Sequence, residues 1–138
     1  IGNTAWAFVK MGRCDEELLG ALARAAECQV SKLNLQNLSN IAWALAKAGR
    51  ADEQVFAALV RTAKRRTSDF DNQGLANMSW AFATARRTDE KLFVMFARAA
   101  PRHARELSAQ GLSNMLWAFA VAGQCHEKLF RALATAAE

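Results

Sequence analysis

The sequence predicts an all-α protein: an α-solenoid of about four stacked helix–turn–helix repeats with a 37-residue period. Three observations predict it. The four tryptophans, Trp6, Trp43, Trp80 and Trp117, recur every 37 residues without a gap, and Asn3, Asn40, Asn77 and Asn114 keep the same spacing. Around them the stretch QNLSNIAWALAKAG (Gln36 to Gly49) returns as QGLANMSWAFATAR (Gln73 to Arg86) and as QGLSNMLWAFAVAG (Gln110 to Gly123), with a clipped copy, IGNTAWAFVKMG, from Ile1. A fixed period of this size is the signature of a stacked repeat protein. Two short helices cannot bury their apolar faces alone, so stacking has to supply the core. The chain reads as a single solenoid segment, 1–138, with repeats at about 1–33, 34–70, 71–107 and 108–138.

The first helix of each period, helix A, begins after Asn34, Asp71 or Ser108, whose side chains can accept from the orphan N–H groups of a helix start. The residue before each cap is Leu33, Phe70 or Leu107, and the fourth residue after it is Leu38, Leu75 or Leu112, which makes a hydrophobic staple in every full copy. Helix A then runs for about 14 residues, roughly 21 Å. It ends at Gly49 and Gly123, suited to a left-handed terminal residue. Arg86 occupies that position in the third copy, where a strained or altered turn is expected. Helix B follows Asp15, Asp52 and Asp89, with Glu16, Glu53 and Glu90 next to them at the positive end of the helix dipole. His126 replaces the aspartate in the last copy, weakening that cap. Val55, Phe56, Leu59, Val60 and Ala63 form one apolar face, matched by Leu92, Phe93, Phe96 and Ala100 and by Leu129, Phe130, Leu133 and Ala137. A charged link of six to eight residues leads to the next repeat, with Pro101 where a helix end accepts it.

On a wheel of helix A, Leu38, Ile41, Leu45 and Ala48 face the core, while Gln36, Asn40, Trp43 and Lys47 form a stripe on the opposite side. The stripe recurs as Gln73, Asn77, Trp80 and Thr84, then as Gln110, Asn114, Trp117 and Val121; the first copy keeps Asn3, Trp6 and Lys10. Two readings compete. In one, tryptophan and asparagine form ladders in the seam between adjacent A helices and set the register of the stack. In the other the stripe faces a ligand, and aromatic rings and amides meet unstacked bases, one per repeat. The two can be combined, with tryptophan in the seam and neighbouring variable columns on the ligand. Those columns are Gly2/Ser39/Ala76/Ser113, Ala5/Ala42/Ser79/Leu116 and Lys10/Lys47/Thr84/Val121.

Net charge is +5, with 18 basic against 13 acidic residues, a modest bias towards polyanionic partners. Arg13, Arg50 and Arg87 follow helix A at successive A–B turns, spaced to track phosphates along one rim. Arg24, Arg61 and Arg98 lie opposite the apolar face of helix B and read as a solvated convex surface. Lys64, Arg65 and Arg66 with Arg86 form the densest positive cluster, open to reading as a solvated loop or a backbone contact. Cys14, Cys28 and Cys125 are scattered and odd in number, which reads as reduced thiols. The two histidines occur singly, Cys125-His126 lacks metal-ligand spacing, and the recurring acids are helix caps. No catalytic residue, metal or cofactor is therefore expected, and the chain reads as a non-enzymatic module. Charges interrupt every apolar run, so no membrane insertion is expected.

At QGLANMSWAFATA and QGLSNMLWAFAVAG the sequence resembles the organellar octotricopeptide repeats and the related 37-residue heptatricopeptide repeats. The similarity spans the whole chain and rests on the Leu–x–Asn–(Ile/Met)–x–Trp–Ala–(Leu/Phe)–Ala core and on Leu92-Phe93 and Leu129-Phe130 of helix B. The Pro-Pro-Pro-Glu-Trp motif of many octotricopeptide repeats is absent, which favours the 37-residue relative. The resemblance implies α-solenoids that bind single-stranded RNA in mitochondria or plastids, in RNA processing or translation, or built into organellar ribosomes. On that reading the RNA contacts are Lys10, Arg13, Ser39, Asn40, Lys47, Arg50, Ala76, Asn77, Thr84, Arg87, Ser113 and Asn114, with Trp6, Trp43, Trp80 and Trp117 stacking on bases or filling the seam. The alternative is a protein–protein scaffold segment in a large assembly. Ile1 aligns with Leu38 inside a repeat, so flanking repeats or a protein partner are expected to cap both ends of the solenoid.

Overall fold

The computed structural model describes residues 3–4, 7, 11–12, 16–29, 32–50, 53–102 and 104–138. Among them the chain is helical throughout, with no strand. The elements alternate as expected. B helices are α1 (Glu16–Gln29), α3 (Glu53–Arg65), α5 (Glu90–Ala99) and α7 (Glu127–Ala137); A helices are α2 (Leu35–Lys47), α4 (Asn72–Thr84) and α6 (Ala109–Val121). Asn3, Thr4 and Ala7, in the clipped first copy, are also helical.

The three described A helices start alike. Asn37 N–H donates to Asn34 Oδ1 (2.8 Å), Gly74 N–H to Asp71 Oδ1 (2.6 Å) and Gly111 N–H to Ser108 Oγ (3.1 Å). The staple residues Leu33, Phe70 and Leu107 are buried in one core cluster with Leu38, Leu75 and Leu112. Gly74 is required there: a Cβ would lie 2.9 Å from Asp71 Oδ1 and 3.0 Å from the Phe70 ring.

The A helices also end alike. Gly49 and Gly123 adopt φ of 70° and 67°. The following residues close the turn, Arg50 N–H to Leu45 O (2.8 Å) and Gln124 N–H to Phe119 O (3.0 Å), a Schellman arrangement. Arg86 does not alter the turn. It takes the same left-handed conformation (φ 55°), and Arg87 N–H reaches Phe82 O at 2.8 Å. The strain expected from its side chain is present, but the shape is that of a glycine.

Asp89 caps α5 through Leu92 N–H (2.8 Å), whereas His126 makes no capping bond to α7, as its side chain suggested. Asp15 and Asp52 lie outside the described residues. The links are not irregular: they wind into 3₁₀ turns at Thr67–Asp69, Ala100–Arg102 and Ala104–Glu106, with Pro101 inside the second.

The core is continuous along the stack. Phe56 of α3 meets Phe82 of the next A helix edge-on (5.6 Å, 84°), and one period later Phe93 meets Phe119 (5.2 Å, 72°). Adjacent A helices are in far more extensive contact than adjacent B helices. Small residues explain the difference. Ala42, Ala44, Ala46, Ala76, Ala81, Ala83 and Ala118 are buried, which lets A backbones approach closely. The tighter layer has to lie on the inside of any curvature, and the looser B layer leaves grooves between its helices.

Candidate nucleic-acid interface

The stripe opposite the core runs along the A-helix face, as its periodicity predicts. Gln36 and Lys47 are exposed; Asn40, Trp43, Asn77, Trp80 and Asn114 are half-buried. Trp43 and Trp80 have ring centroids 5.8 Å apart with planes inclined by 31°; Trp80 and Trp117 are 6.4 Å apart and inclined by 34°. Each ring therefore packs on the ring of the neighbouring repeat. Inserting a base between two rings needs about 7 Å, twice the stacking rise of roughly 3.4 Å. The described tryptophans thus pack against one another across the seams between repeats. Trp6 lies outside the described residues. Trp117 has one neighbouring ring and is 45% exposed.

Trp43 and Trp80 line a groove of about 460 Å³ together with Lys47, Gln73, Asn77, Gln110 and Asn114. Its amides are arranged in pairs. Gln73 Nε2 donates to Asn77 Oδ1 (2.9 Å), and Gln110 Nε2 donates to Asn114 Oδ1 (2.9 Å). Spaced four apart, the two side chains of each pair lie one above the other on the helix. The pairing uses one donor and one acceptor, and each pair retains an asparagine Nδ2 donor beside a glutamine Oε1 acceptor. That is the pattern that reads the hydrogen-bonding edge of an unstacked base. The earlier copy differs: Asn40 Nδ2 donates across the seam to Asn3 Oδ1 at 2.9 Å. An asparagine ladder thus exists at the first seam, and intrahelical amide pairs replace it afterwards. Lys47 Nζ lies 5.8 Å from the centroid of Trp43, within cation–π range.

Several expected contacts are placed elsewhere. Ser39 and Ala76 are buried (1% and 0% exposed) and cannot touch a ligand. Their column is the contact between A helices: Ser39 Oγ donates to Leu35 O (2.9 Å) and lies 3.4 Å from Gly74 O of the next repeat. A Cβ on Gly111 would sit 3.8 Å from that of Ala76. Ser113, in the last described A helix, is exposed. Ala42 and Ser79 of the second variable column are likewise fully buried. In the third column Lys47 and Val121 are exposed, and Thr84 is half-buried with its hydroxyl enclosed and unpaired. Lys10 and Arg13 lie outside the described residues.

The rim arginines do not line the tryptophan groove. Arg50 reaches back over the preceding B helix, its Nη2 3.7 Å from where a Cβ of Gly20 would be. Arg87 lines a separate recess with Phe56, Ala57 and Val60 of α3. The Schellman turn directs them there, because the C″ residue leaves helix A already heading for helix B. Conversely, Gln73 and Gln110 belong to the groove more firmly than the small residues do. Their position four residues before the asparagines was the signal.

These features define an α-solenoid helical-repeat protein with an amide-walled groove on its A-helix face. Over residues 1–138 the chain matches the family described as RNA-editing substrate-binding complex 6 protein. It belongs to that family, which ties it to RNA metabolism. No curated protein matches it. No described helix is long and apolar enough to cross a membrane.

Proposed function

We propose that the protein is a non-enzymatic RNA-binding module of an RNA-editing complex, taking single-stranded RNA along the A-helix groove. The Gln73–Asn77 and Gln110–Asn114 pairs carry the reading: each leaves a donor beside an acceptor, at one-repeat spacing, in a groove shared with Trp43 and Trp80. Bases meet these amides edge-on, and Lys47 supplies the nearby charge. Among the site residues named from sequence, Lys47, Asn77 and Asn114 stay in this role with Gln73 and Gln110, whereas Asn40 is bonded across the seam and the Thr84 hydroxyl is enclosed. No cofactor is needed. Kinship with the octotricopeptide and heptatricopeptide repeats belongs to the same reading, as does a mitochondrial location; the family gives the plastid no support.

A second reading has its own support. The family's description names a complex, and Trp117 and Val121 are exposed on the last described A helix. On that reading the solenoid is a scaffold whose apolar end meets a further repeat or a protein partner within a large RNA-editing assembly.

Fluorescence-anisotropy titration of single-stranded RNA, duplex RNA and single-stranded DNA across a salt series tests the first reading. Preference for single-stranded RNA is expected, with log K falling by about 0.7 per phosphate neutralised for each unit of log salt. A folded, monomeric sample that binds none of the three at low salt would leave the scaffold reading.

A further inference from the structure

The A-helix groove holds one described cation, Lys47, although the chain carries an excess of positive charge. The cations gather instead on the B-helix side, where the looser layer opens grooves at its seams. Between α3 and α5 lies a groove of about 290 Å³ lined by Lys64, Arg65, Arg98 and Arg102, with the hydroxyl-bearing Thr67 and Ser68. None of its lining residues is acidic. Asp89 pairs with Lys64 (2.9 Å) and Asp69 with Arg66 (3.9 Å), leaving Arg65, Arg98 and Arg102 as the net charge of the groove. Arg65, Arg98 and Arg102 are exposed.

The groove is a repeat feature. One period on, between the 3₁₀ turns of the link and α7, the corresponding recess contains Arg105, Lys128 and Arg131. Arg131 pairs with Glu127, leaving Arg105 and Lys128 as the net charge there. The recess recurs in register, with Pro101 and Thr135 where the first groove has Lys64 and Arg98, so its charge comes from other columns; within the first groove Arg65 and Arg102 stand one repeat apart. Neighbouring repeats stand about 8–10 Å apart, close to the Debye length of about 10 Å at 0.1 M salt. The columns therefore act on a polyanion as one field and not as isolated charges. Exposed guanidinium groups, which match phosphate oxygens in pairs, beside hydroxyl donors suit a phosphodiester backbone.

We infer that the B-helix seam lined by Lys64, Arg65, Arg98 and Arg102 is a second RNA-contacting surface that holds the phosphate backbone, separate from the A-helix groove that meets the bases. The inference rests on the RNA-binding reading above. It assigns the two terms of binding to opposite layers of the solenoid: charge to B, base recognition to A. A strand long enough to reach both layers, or two strands, is held by the pair of surfaces together.

The test compares two variants with the native protein: Arg65→Gln/Arg98→Gln/Arg102→Gln on the B seam, and Gln73→Ala/Asn77→Ala in the A groove. Binding of oligonucleotides of several base compositions is followed by anisotropy across a salt series, and thermal melts verify folding. The B-seam variant is expected to bind every sequence more weakly, about tenfold at 0.1 M salt, with the salt slope reduced by about 2. The A-groove variant is expected to keep the native slope and lose base preference. A B-seam variant with native affinity and slope would overturn the inference while leaving RNA binding intact. Failure of the folded native protein to bind any RNA would remove the underlying reading and the inference with it. Polyglutamate binding as tightly as RNA, with the same dependence on the three arginines, would assign the groove to an acidic protein and overturn the inference.

Discussion

Trp43 and Trp80, 37 residues apart, pack ring on ring with centroids 5.8 Å apart and planes inclined by 31°. Trp80 repeats the contact with Trp117 on its other side at 6.4 Å. Few side-chain hydrogen bonds among the described residues cross these seams, such as Ser39 Oγ to Gly74 O (3.4 Å) and Asn72 Nδ2 to Glu106 O (2.8 Å), so the ring contacts do for the stack what register-setting pairs do in a sheet. Trp80 is half-buried against the core and flanked on both sides, whereas Trp117 is 45% exposed and flanked on one. Trp80→Ala should therefore cost about 3 kcal/mol, the lower end of large aromatic truncations, and Trp117→Ala about 1 kcal/mol. Urea denaturation of both variants measures this, and equal losses would show that the ladder adds nothing beyond each ring's own burial.

Arg86 concerns backbone strain alone. Its φ of 55° matches the glycines at the other A-helix ends, and the hydrogen bonds of the turn are the same. Arg86→Gly removes about 1–2 kcal/mol of left-handed strain and returns about 0.4–1 kcal/mol of unfolded-chain entropy. Stability should rise by about 0.5–1 kcal/mol with no change in helix content. A loss would mean that the Arg86 side chain makes a contact worth more than the strain.

The period, the caps, the staples and the core face of helix A were all legible, because each depends on residue type at fixed offsets within one repeat. The inter-repeat contact was not read correctly from the same columns. Gly2, Ser39, Ala76 and Ser113 vary in polarity, which suggested a ligand-reading position, yet all four are small. Small size at one helical position in every repeat signals close approach of two helices, and Ser39 and Ala76 are buried in that contact. The destination of Arg50 and Arg87 depends on the exit direction of a Schellman turn, which no linear pattern encodes. The grooves between B helices arise from the unequal packing of two layers and become visible only in three dimensions.

Two serines on α2 and α4 should respond oppositely to the same change. Ser79 Oγ is fully buried with no hydrogen-bond partner, and Ala42 occupies the equivalent position one repeat earlier. Ser79→Ala removes an unsatisfied polar atom and should stabilise the fold by about 1 kcal/mol. Ser39 Oγ donates to Leu35 O, so Ser39→Ala loses a made bond and should cost about 0.5–1 kcal/mol. Chemical denaturation of the two variants in parallel decides it; destabilisation by Ser79→Ala would point to a partner for its hydroxyl, such as a buried water.

Asp89 joins the start of α5 to the end of α3. Partial burial pushes its carboxyl up, but the Lys64 ammonium, the Leu92 N–H and the charge of Lys91 together hold it below the ordinary value of 3.8. A carboxyl with a depressed folded-state pKa contributes stability that is present above its unfolded value and is lost as pH falls through the folded value. The native protein should therefore lose stability as pH drops below about 4. Asp89→Asn, which can still cap the helix, should show a shallower loss over the same interval. Parallel acid titrations of thermal midpoint measure the difference; identical slopes would remove Asp89 from the acid response.

Asn77 separates a structural amide from a reading one. Its Oδ1 accepts from Gln73 Nε2 within α4, and Asn77 lines the groove with no hydrogen bond from its Nδ2 to the described residues. Asn77→Asp keeps the acceptor, and so keeps the intrahelical bond, but replaces the remaining donor with a negatively charged acceptor. Stability should stay within about 0.5 kcal/mol of the native protein. Affinity for single-stranded RNA should fall at least about fivefold, since one hydrogen bond of roughly 1 kcal/mol is lost and a carboxylate now faces the strand. Anisotropy titration beside a thermal melt reads both quantities. If stability and binding fall together, the amide is part of the stack, and Asn77 joins Asn40 as a seam residue. If binding falls alone, the donor on Asn77 touches RNA, and the matching substitution at Asn114 should weaken binding in the same way one repeat further along.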